Sequence, residues 1–536
     1  MSLDTVTTRP RAAPAAVPPS ERSGGAALLA FLNRLHGYIG LLVGPFIFVA
    51  ALTGTLFVLT PQIENRVYAA QLFNASSGAA QPLDAQIAAA QAHLGDDRPP
   101  SALRPAPGPG WNTRVMFSAA GLREGEMLAV FVDPVTLAVH GSLAAYGTSG
   151  TLPFRATLDY LHRNLMLGEA GRAYSELAAS WLWLTVIGGV LWWAAGRRRG
   201  APGAAQLARS PRLWARRWHV WLGLTLALGL VFFSATGLTW SKWAGERIGS
   251  LRQQVGWITP SVDTRLAAPP GSAGTAAAAA ADKGAAQAGQ RGAGGHDGHA
   301  DHGDHGDHAA HGDHGDHAAH GDHAAHGDQG GQRAAGHAAH DGPGSQESES
   351  AGTPSSTPAA AQPGYDPVLA AAHAAGIDSP FVEIRAARTP QQAWVVREYD
   401  RSWPTQVDTV AVDPRSLQVV SQARFEDFPL VAKLIRWGID AHMGILFGLP
   451  NQLLLALLGV GTCALIVLGY RMWWLRTRRV ATPTLWQSWW RLGGVARIGV
   501  VGAMAALGWC LPALGASLLL FLLADGVRSG MQWRRG

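Results

Sequence analysis

The sequence predicts a mainly α-helical polytopic membrane protein: a duplicated four-helix transmembrane core with two small α/β domains outside the membrane. Three observations predict it. Five stretches, 35–63, 177–196, 218–241, 441–470 and 498–524, contain no Asp, Glu, Lys or Arg, and a helix needs roughly 20 apolar residues to cross about 30 Å of hydrocarbon. Trp residues, among them Trp181, Trp192, Trp193, Trp218, Trp240 and Trp473, gather at the ends of these stretches, where amphipathic rings favour the interface. The motifs of the first half recur in the second, in the same order and spacing.

Residues 1–30 read as a disordered cytoplasmic tail, and 35–63 as the first transmembrane helix. The polar tail before this span and the lack of a small-residue cleavage site after it argue against a removed signal peptide. Basic residues set the orientation. Arg9, Arg11, Arg22 and Arg34 precede the first span, a basic loop fills 197–217 between the spans 177–196 and 218–241, and RMWWLRTRRV opens the loop 471–492 after the span 448–470. All belong in the cytoplasm, so 64–176 and 242–447 lie outside, in the periplasm of a bacterial inner membrane. The formal net charge of +6 follows from this bias and implies no nucleic-acid partner. Residues 493–526 form either one span, which strands the basic tail outside, or a short hairpin broken near Pro512. Cys463 and Cys510 are the only cysteines, which excludes a disulfide framework or a cysteine-held iron–sulfur cluster.

The outer segments repeat as well. In 64–158, a helical stretch at 83–95 precedes strands at 112–117 and 127–140, the latter broken into a hairpin at Asp133-Pro134. In 361–430, a helix at 365–376 precedes FVEIRAA, AWVVREY and a hairpin turning at Asp413-Pro414. The interval from Asp133 to His162 is identical to that from Asp413 to His442. The intervals from His162 to Gly168 and from His442 to Gly448 are identical too.

The linker 262–360 is rich in Ala, Gly, Ser and Pro and buries too little apolar surface to offset the entropy of ordering. Its His/Asp-rich tract, 296–340, holds thirteen of the twenty histidines. His296, His299, His302, His305, His308, His311, His314, His317, His320, His323 and His326 alternate with Asp and small residues. This pattern suits loose chelation of Zn²⁺, Cu²⁺, Ni²⁺ or iron, or a soluble spacer with incidental metal affinity.

Seven histidines remain. His93, His140 and His373 fall in soluble parts and read as surface or structural residues. The other four occupy matched places. His36 and His219 stand at the cytoplasmic ends of spans, followed at equal intervals by Gly40 and Gly223, and again at equal intervals by Thr53-Gly54 and Thr236-Gly237. His162 and His442 lie in the segments 159–176 and 431–447, just outside inward-running spans. A parallel duplication carries each histidine of a pair to the same depth. Two facing imidazoles can fill both axial positions of one haem iron, which suits one-electron transfer and leaves no open site for oxygen. The pairs His36/His219 and His162/His442 therefore read as ligands of two stacked haems. Gly40, Gly44, Gly223 and Gly229 leave room for flat macrocycles, and Tyr38, Trp221, Phe232 and Phe233 are candidates to pack on them. Arg34 and Arg217, each just ahead of an inner ligand, are candidates to meet haem propionates, unless they serve only to orient the spans; Arg163 is the outer counterpart. Other metals fit less well, because each pair supplies two ligands.

The motifs RLHGYIGLLVGPFIFVAALTGTLFVL, FVDPVTLAV, AVDPRSLQVV, LHRNLMLG with GGVLWW, and AHMGILFG resemble the PepSY-associated transmembrane family, over about 35–260 and 360–476. Members include iron-regulated inner-membrane proteins and ferric-siderophore reductases. The resemblance implies periplasmic PepSY-like domains and two b-type haems, with the family's histidines falling on His36, His162, His219 and His442. The His/Asp tract and the C-terminal element depart from the shortest members. No Gly-rich nucleotide fingerprint is present, so the electron donor is expected to be quinol or a separate cytoplasmic reductase. The expected function is a haem-dependent reductase that delivers electrons to a periplasmic ferric siderophore, with iron-uptake proteins as further partners. The alternatives are reduction of another periplasmic metal such as Cu²⁺ or of another redox partner, and a non-enzymatic PepSY sensor or metal-handling scaffold.

Overall fold

The structure is a computed structural model that describes residues 24–196, 210–266, 364–476 and 485–533. The His/Asp tract, the loop 197–209 and the segment 1–23 lie outside the described residues. The chain divides into two compact units. One comprises 1–52, 167–247 and 458–536, and the other comprises 53–166 and 248–457.

The first unit is helical. α1 (Gly24–Leu42) and α2 (Gly44–Val58) meet at a 57° bend, so the expected first span is a broken one. Pro45 explains the break: it has no amide hydrogen to donate back into α1. α1 begins at Gly24, inside the expected tail, because the run AALLAFL is a strong helix former. α7 (Gly168–Gly196), α8 (Pro211–Leu238), α12 (Gly448–Trp474) and α15 (Pro512–Trp533) each contain a stretch long and apolar enough to cross a membrane.

Small residues bring these helices together, as van der Waals packing in a bilayer requires. A Cβ on Gly229 of α8 would lie 2.7 Å from Leu458 of α12, and a Cβ on Gly461 of α12 would lie 2.9 Å from Leu226 of α8. Gly229 thus serves helix packing. Between α7 and α8, Ser234 Oγ donates to the Ala179 carbonyl at 2.6 Å. α13 (Leu485–Trp490) leads to α14 (Gly494–Cys510), which breaks from α15 at Leu511, next to Pro512. Gly508 and Gly515 pack so closely that a Cβ on Gly515 would meet the Gly508 Cα at 2.8 Å. The C-terminal element is therefore two helices with a break where Pro512 suggested one, although only α15 has the length of a span.

The second unit is built on one eight-stranded antiparallel sheet, in the order β4-β3-β2-β1-β5-β6-β7-β8. Its strands are β1 (Ala102–Arg104), β2 (Thr113–Phe117), β3 (Glu126–Val132), β4 (Val139–Tyr146), β5 (Val382–Arg385), β6 (Trp394–Glu398), β7 (Thr409–Val412) and β8 (Val419–Ala423). The segments 64–158 and 361–430, expected as separate domains, join where Leu103 of β1 pairs with Ile384 of β5. α5 (Leu83–Leu94) and α10 (Tyr365–Ala374) share one apolar core with the sheet: Leu83, Ile87 and Ala90 cluster with Val368, Ala372, Val115, Val130, Val396 and Val410. Both Asp-Pro turns form as expected. Asp133 Oδ1 accepts the Val135 amide and Asp413 Oδ1 the Arg415 amide, and each turn closes through a left-handed leucine, Leu137 or Leu417. Residues 264–266, expected as linker, bond to the strand side of the unit: the Ala393 amide donates to Thr264 O and the Leu266 amide to Gln391 O.

At the junction of the two halves Glu383 is fully buried and accepts from Arg104, Arg385 and Arg397 at 2.6–2.8 Å. Burial alone would raise this carboxyl. The three guanidiniums, Arg104 foremost, outweigh that and hold it well below the usual carboxylate range.

Candidate functional site

In the first unit, α1, α7, α8 and α12 enclose a cavity of about 810 Å³ lined by His36, His219, Gly40, Gly44, Gly189 and Gly223 among others. This volume lies in the range of cofactor sites, about 300–1,000 Å³. The two imidazoles have ring centroids 6.3 Å apart and planes 84° apart. Two imidazoles bound through Nε2 on opposite sides of one metal, at a metal–nitrogen distance of about 2.0–2.1 Å, would have centroids separated by roughly 6 Å.

The hydrogen bonds fix the tautomer. His36 Nδ1 lies 3.0 Å from the Thr185 carbonyl, and His219 Nδ1 lies 3.0 Å from the Leu465 carbonyl. A carbonyl only accepts, so each Nδ1 carries the proton and each Nε2 keeps its lone pair, the form that binds a metal. In both cases the acceptor is a backbone oxygen on a neighbouring helix, α7 for His36 and α12 for His219. Each ring also rests near a glycine one turn beyond its acceptor. A Cβ on Gly189 would lie 3.2 Å from His36 Cε1, and one on Gly469 would lie 3.6 Å from His219 Cε1. Thr185 and Gly189 follow His162 at the same intervals at which Leu465 and Gly469 follow His442. The sequence reading missed these positions, but the repeat spacing carried them.

The second unit holds the other pair. His162 lies in the last turn of α6 (Pro153–Asn164), and His442 ends α11 (Leu430–His442). Thr53 Oγ1 lies 3.1 Å from His162 Nδ1, and a Cβ on Gly54 would lie 3.1 Å from His162 Cε1. Burial, reinforced by the neighbouring His162, pushes the His442 imidazole down to about 3, so it is neutral at physiological pH. Gly168 and Gly448, which open α7 and α12 just beyond these histidines, have φ of +59° and +57°, a conformation that glycine adopts without a Cβ clash.

Residues 33–476 match the family described as PepSY-associated TM region. The chain belongs to this family. No curated protein matches the sequence. The PepSY-associated TM region contains all four paired histidines and the whole eight-stranded sheet, and ends before α13, α14 and α15.

The remaining candidates are placed as follows. Arg34 lines the cavity and its guanidinium stacks over Tyr38, another lining residue, at 5.3 Å. Arg217 is exposed and lies outside the lining, whereas Arg216 lines it and stacks over Trp192 at 5.1 Å. Residues three apart on a helix share a face, and Arg216 stands on the face of His219. Trp221 is exposed, and Trp221, Phe232, Phe233 and Gly229 are not in the lining. Arg163 Nη1 donates to Tyr146 OH at 2.9 Å. His140 and His373 donate from Nδ1 to the Ala70 and Ile377 carbonyls. Among the described residues, no group of three or more His, Cys, Asp or Glu side chains is placed to hold a metal ion.

Proposed function

We propose that this multi-pass membrane protein is a di-haem electron-transfer protein of the bacterial inner membrane, and that it reduces ferric siderophores in the periplasm. The observation that carries this reading is the pair His36 and His219: 6.3 Å between centroids, each proton held on Nδ1 by a backbone carbonyl. The residues fit haem b. The cavity has the volume and glycine-bearing walls, His36 and His219 would hold the iron, and His162 and His442 would hold that of a second haem. When bound, the haems would supply reversible one-electron chemistry.

The protein's own residues orient and exclude. Thr185 and Leu465 hold the proton on Nδ1 and each imidazole in one rotation, and Thr53 engages the ring of His162. Apolar side chains such as Ile39, Leu230 and Leu465 line the cavity beside the inner pair. The matched spacings around both pairs support a duplicated core, and the strand order, which runs outward symmetrically from β1 and β5, supports two PepSY-like halves fused into one sheet. The basic loops favour a periplasmic location for the sheet-bearing segments, where a ferric chelate could dock. Reduction to Fe²⁺, a softer and less charged ion, weakens its hold by hard oxygen ligands and releases it for import.

The test is haem stoichiometry, a reduced-minus-oxidised spectrum and acceptor kinetics on the purified protein, with quinol as donor and a ferric siderophore and Cu²⁺ as competing acceptors. Two haems per chain and faster siderophore reduction are expected. A colourless protein after haem supplementation rejects the reading in favour of a scaffold, and a preference for Cu²⁺ moves the substrate to copper.

A further inference from the structure

The inner cavity has a wall that the family match does not reach. The match ends at residue 476, yet Arg528 of α15 lines the cavity. α15 is seated there by specific bonds. Tyr38 OH donates to Asp525 Oδ1 at 2.8 Å, the Trp486 amide donates to Asp525 Oδ2 at 2.8 Å, and Trp181 Nε1 donates to Ser517 Oγ at 2.8 Å. Asp525, Ser517 and Trp181 are buried. A carboxylate on a membrane helix is costly unless it is satisfied, and here both oxygens have donors, one of them the cavity residue Tyr38.

The charge of the wall is one-sided. Arg34, Arg212, Arg216, Arg476 and Arg528 line the cavity, and no Asp or Glu does. Arg34, Arg212 and Arg528 each lie close enough to Arg476 to repel its charge. The flanking segments 197–217 and 471–484 contain no acidic residue that could compensate. Arg34 Nε is buried without a hydrogen-bond partner among the described residues. A basic loop explains arginines outside the membrane, but Arg528 falls inside the candidate span Pro512–Met531. The Asp525 carboxylate, which reaches Tyr38, offsets part of this charge, and the five guanidiniums still leave the wall net positive, a surface that favours an anion.

We propose that Arg34, Arg476 and Arg528 form a cradle for the two carboxylates of the tetrapyrrole bound between His36 and His219, and that the C-terminal helices are a built wall of that site. Asp525 and Tyr38 are positioning residues that hold α15 against the cavity. This inference rests on the haem reading above.

The test uses full-length protein carrying His162→Ala, which isolates the inner site, purified without haem and titrated by absorbance with haem b and with its dimethyl ester. The ester has the same ring and iron but no carboxylate charge. Charge-assisted pairs between guanidinium and carboxylate are the strong class of hydrogen bond, so the diacid is expected to bind at least ~tenfold more tightly than the ester. Arg528→Gln should weaken the diacid ~tenfold, leave the ester unchanged, and shift the haem midpoint potential to more negative values. Arg528→Lys should restore part of the preference, and Arg217→Gln, at an exposed position off the lining, should alter neither ligand. If Arg528→Gln folds and leaves the diacid-to-ester ratio unchanged, the cradle is wrong while the haem reading stands. If the parent protein binds neither ligand, both are wrong.

Discussion

The imidazole of His36 packs against the bare Cα of Gly189: a side-chain carbon there would lie 3.2 Å from His36 Cε1, tighter than most real contacts of such a carbon. The ring's position is thus set from two directions, by the Thr185 carbonyl and by the absence of a side chain one turn further along α7. Gly189→Val should push the ring aside and cost the protein one of the two proposed haems, with the helical content unchanged by circular dichroism. Gly469→Ala, where the corresponding contact is an ordinary 3.6 Å, should retain both. Equal haem content in the two variants would mean that the glycine does not set the ring.

Replacing either histidine of a pair should remove one haem and spare the other. His36→Ala and His219→Ala should lose the same spectral component, and His162→Ala and His442→Ala the other one. In proteoliposomes, the outer variants should stop reduction of an acceptor added outside while the inner haem is still reduced by donor. Loss of both components from any single variant would contradict independent pairs.

Glu383 should anchor the sheet in a pH-dependent way. Its folded-state carboxyl titrates well below the ordinary value, because three arginines outweigh its burial. The stabilisation is therefore fully present above the unfolded value, about 4.3, and is lost as pH falls towards the folded one. Glu383→Gln should destabilise the second unit by about 3–5 kcal/mol at neutral pH, because it strands buried guanidiniums, and the gap to wild type should narrow in acid. Thermal unfolding of the full chain, followed by circular dichroism between pH 3 and 7, reads this directly; a gap that does not change with pH would count against the assignment.

Deleting 290–342 should leave both haems bound and the reduction of a ferric siderophore unchanged. Both histidine pairs, and the groups that orient them, come from other parts of the chain. A fall in haem content would show that the tract takes part in the site.

The histidines were legible because each sits at a fixed distance from a glycine or an Asp-Pro turn in both halves. The hairpins were legible because alternating apolar residues flank those turns. β1 was not: it has three residues, and Pro105 follows it directly, so no alternation can be read. Its pairing with β5 depends on a contact between distant segments, which local pattern does not encode. The bend at Val43 lay hidden inside an uninterrupted apolar run, where hydropathy is blind to the missing amide of Pro45. The matched spacing before His36 and His219 points to Arg34 and Arg217, but only Arg34 lines the cavity, and on α8 Arg216 takes that place. Which of the two C-terminal topologies forms could not be settled by length alone; the close approach of Gly508 and Gly515 comes from the three-dimensional packing.

Leu103 and Ile384 are neighbours in the sheet but belong to opposite halves of the chain, with α7 and α8 between them in sequence. During synthesis, β1 is complete long before its partner exists, and for that interval the first four strands expose an open edge, the kind of template on which chains aggregate. Folding of the second sheet-bearing segment is thus also the event that closes the edge of the first. A chain stopped between the two halves should therefore be more prone to proteolysis and aggregation than the full chain, because it carries a half-built sheet.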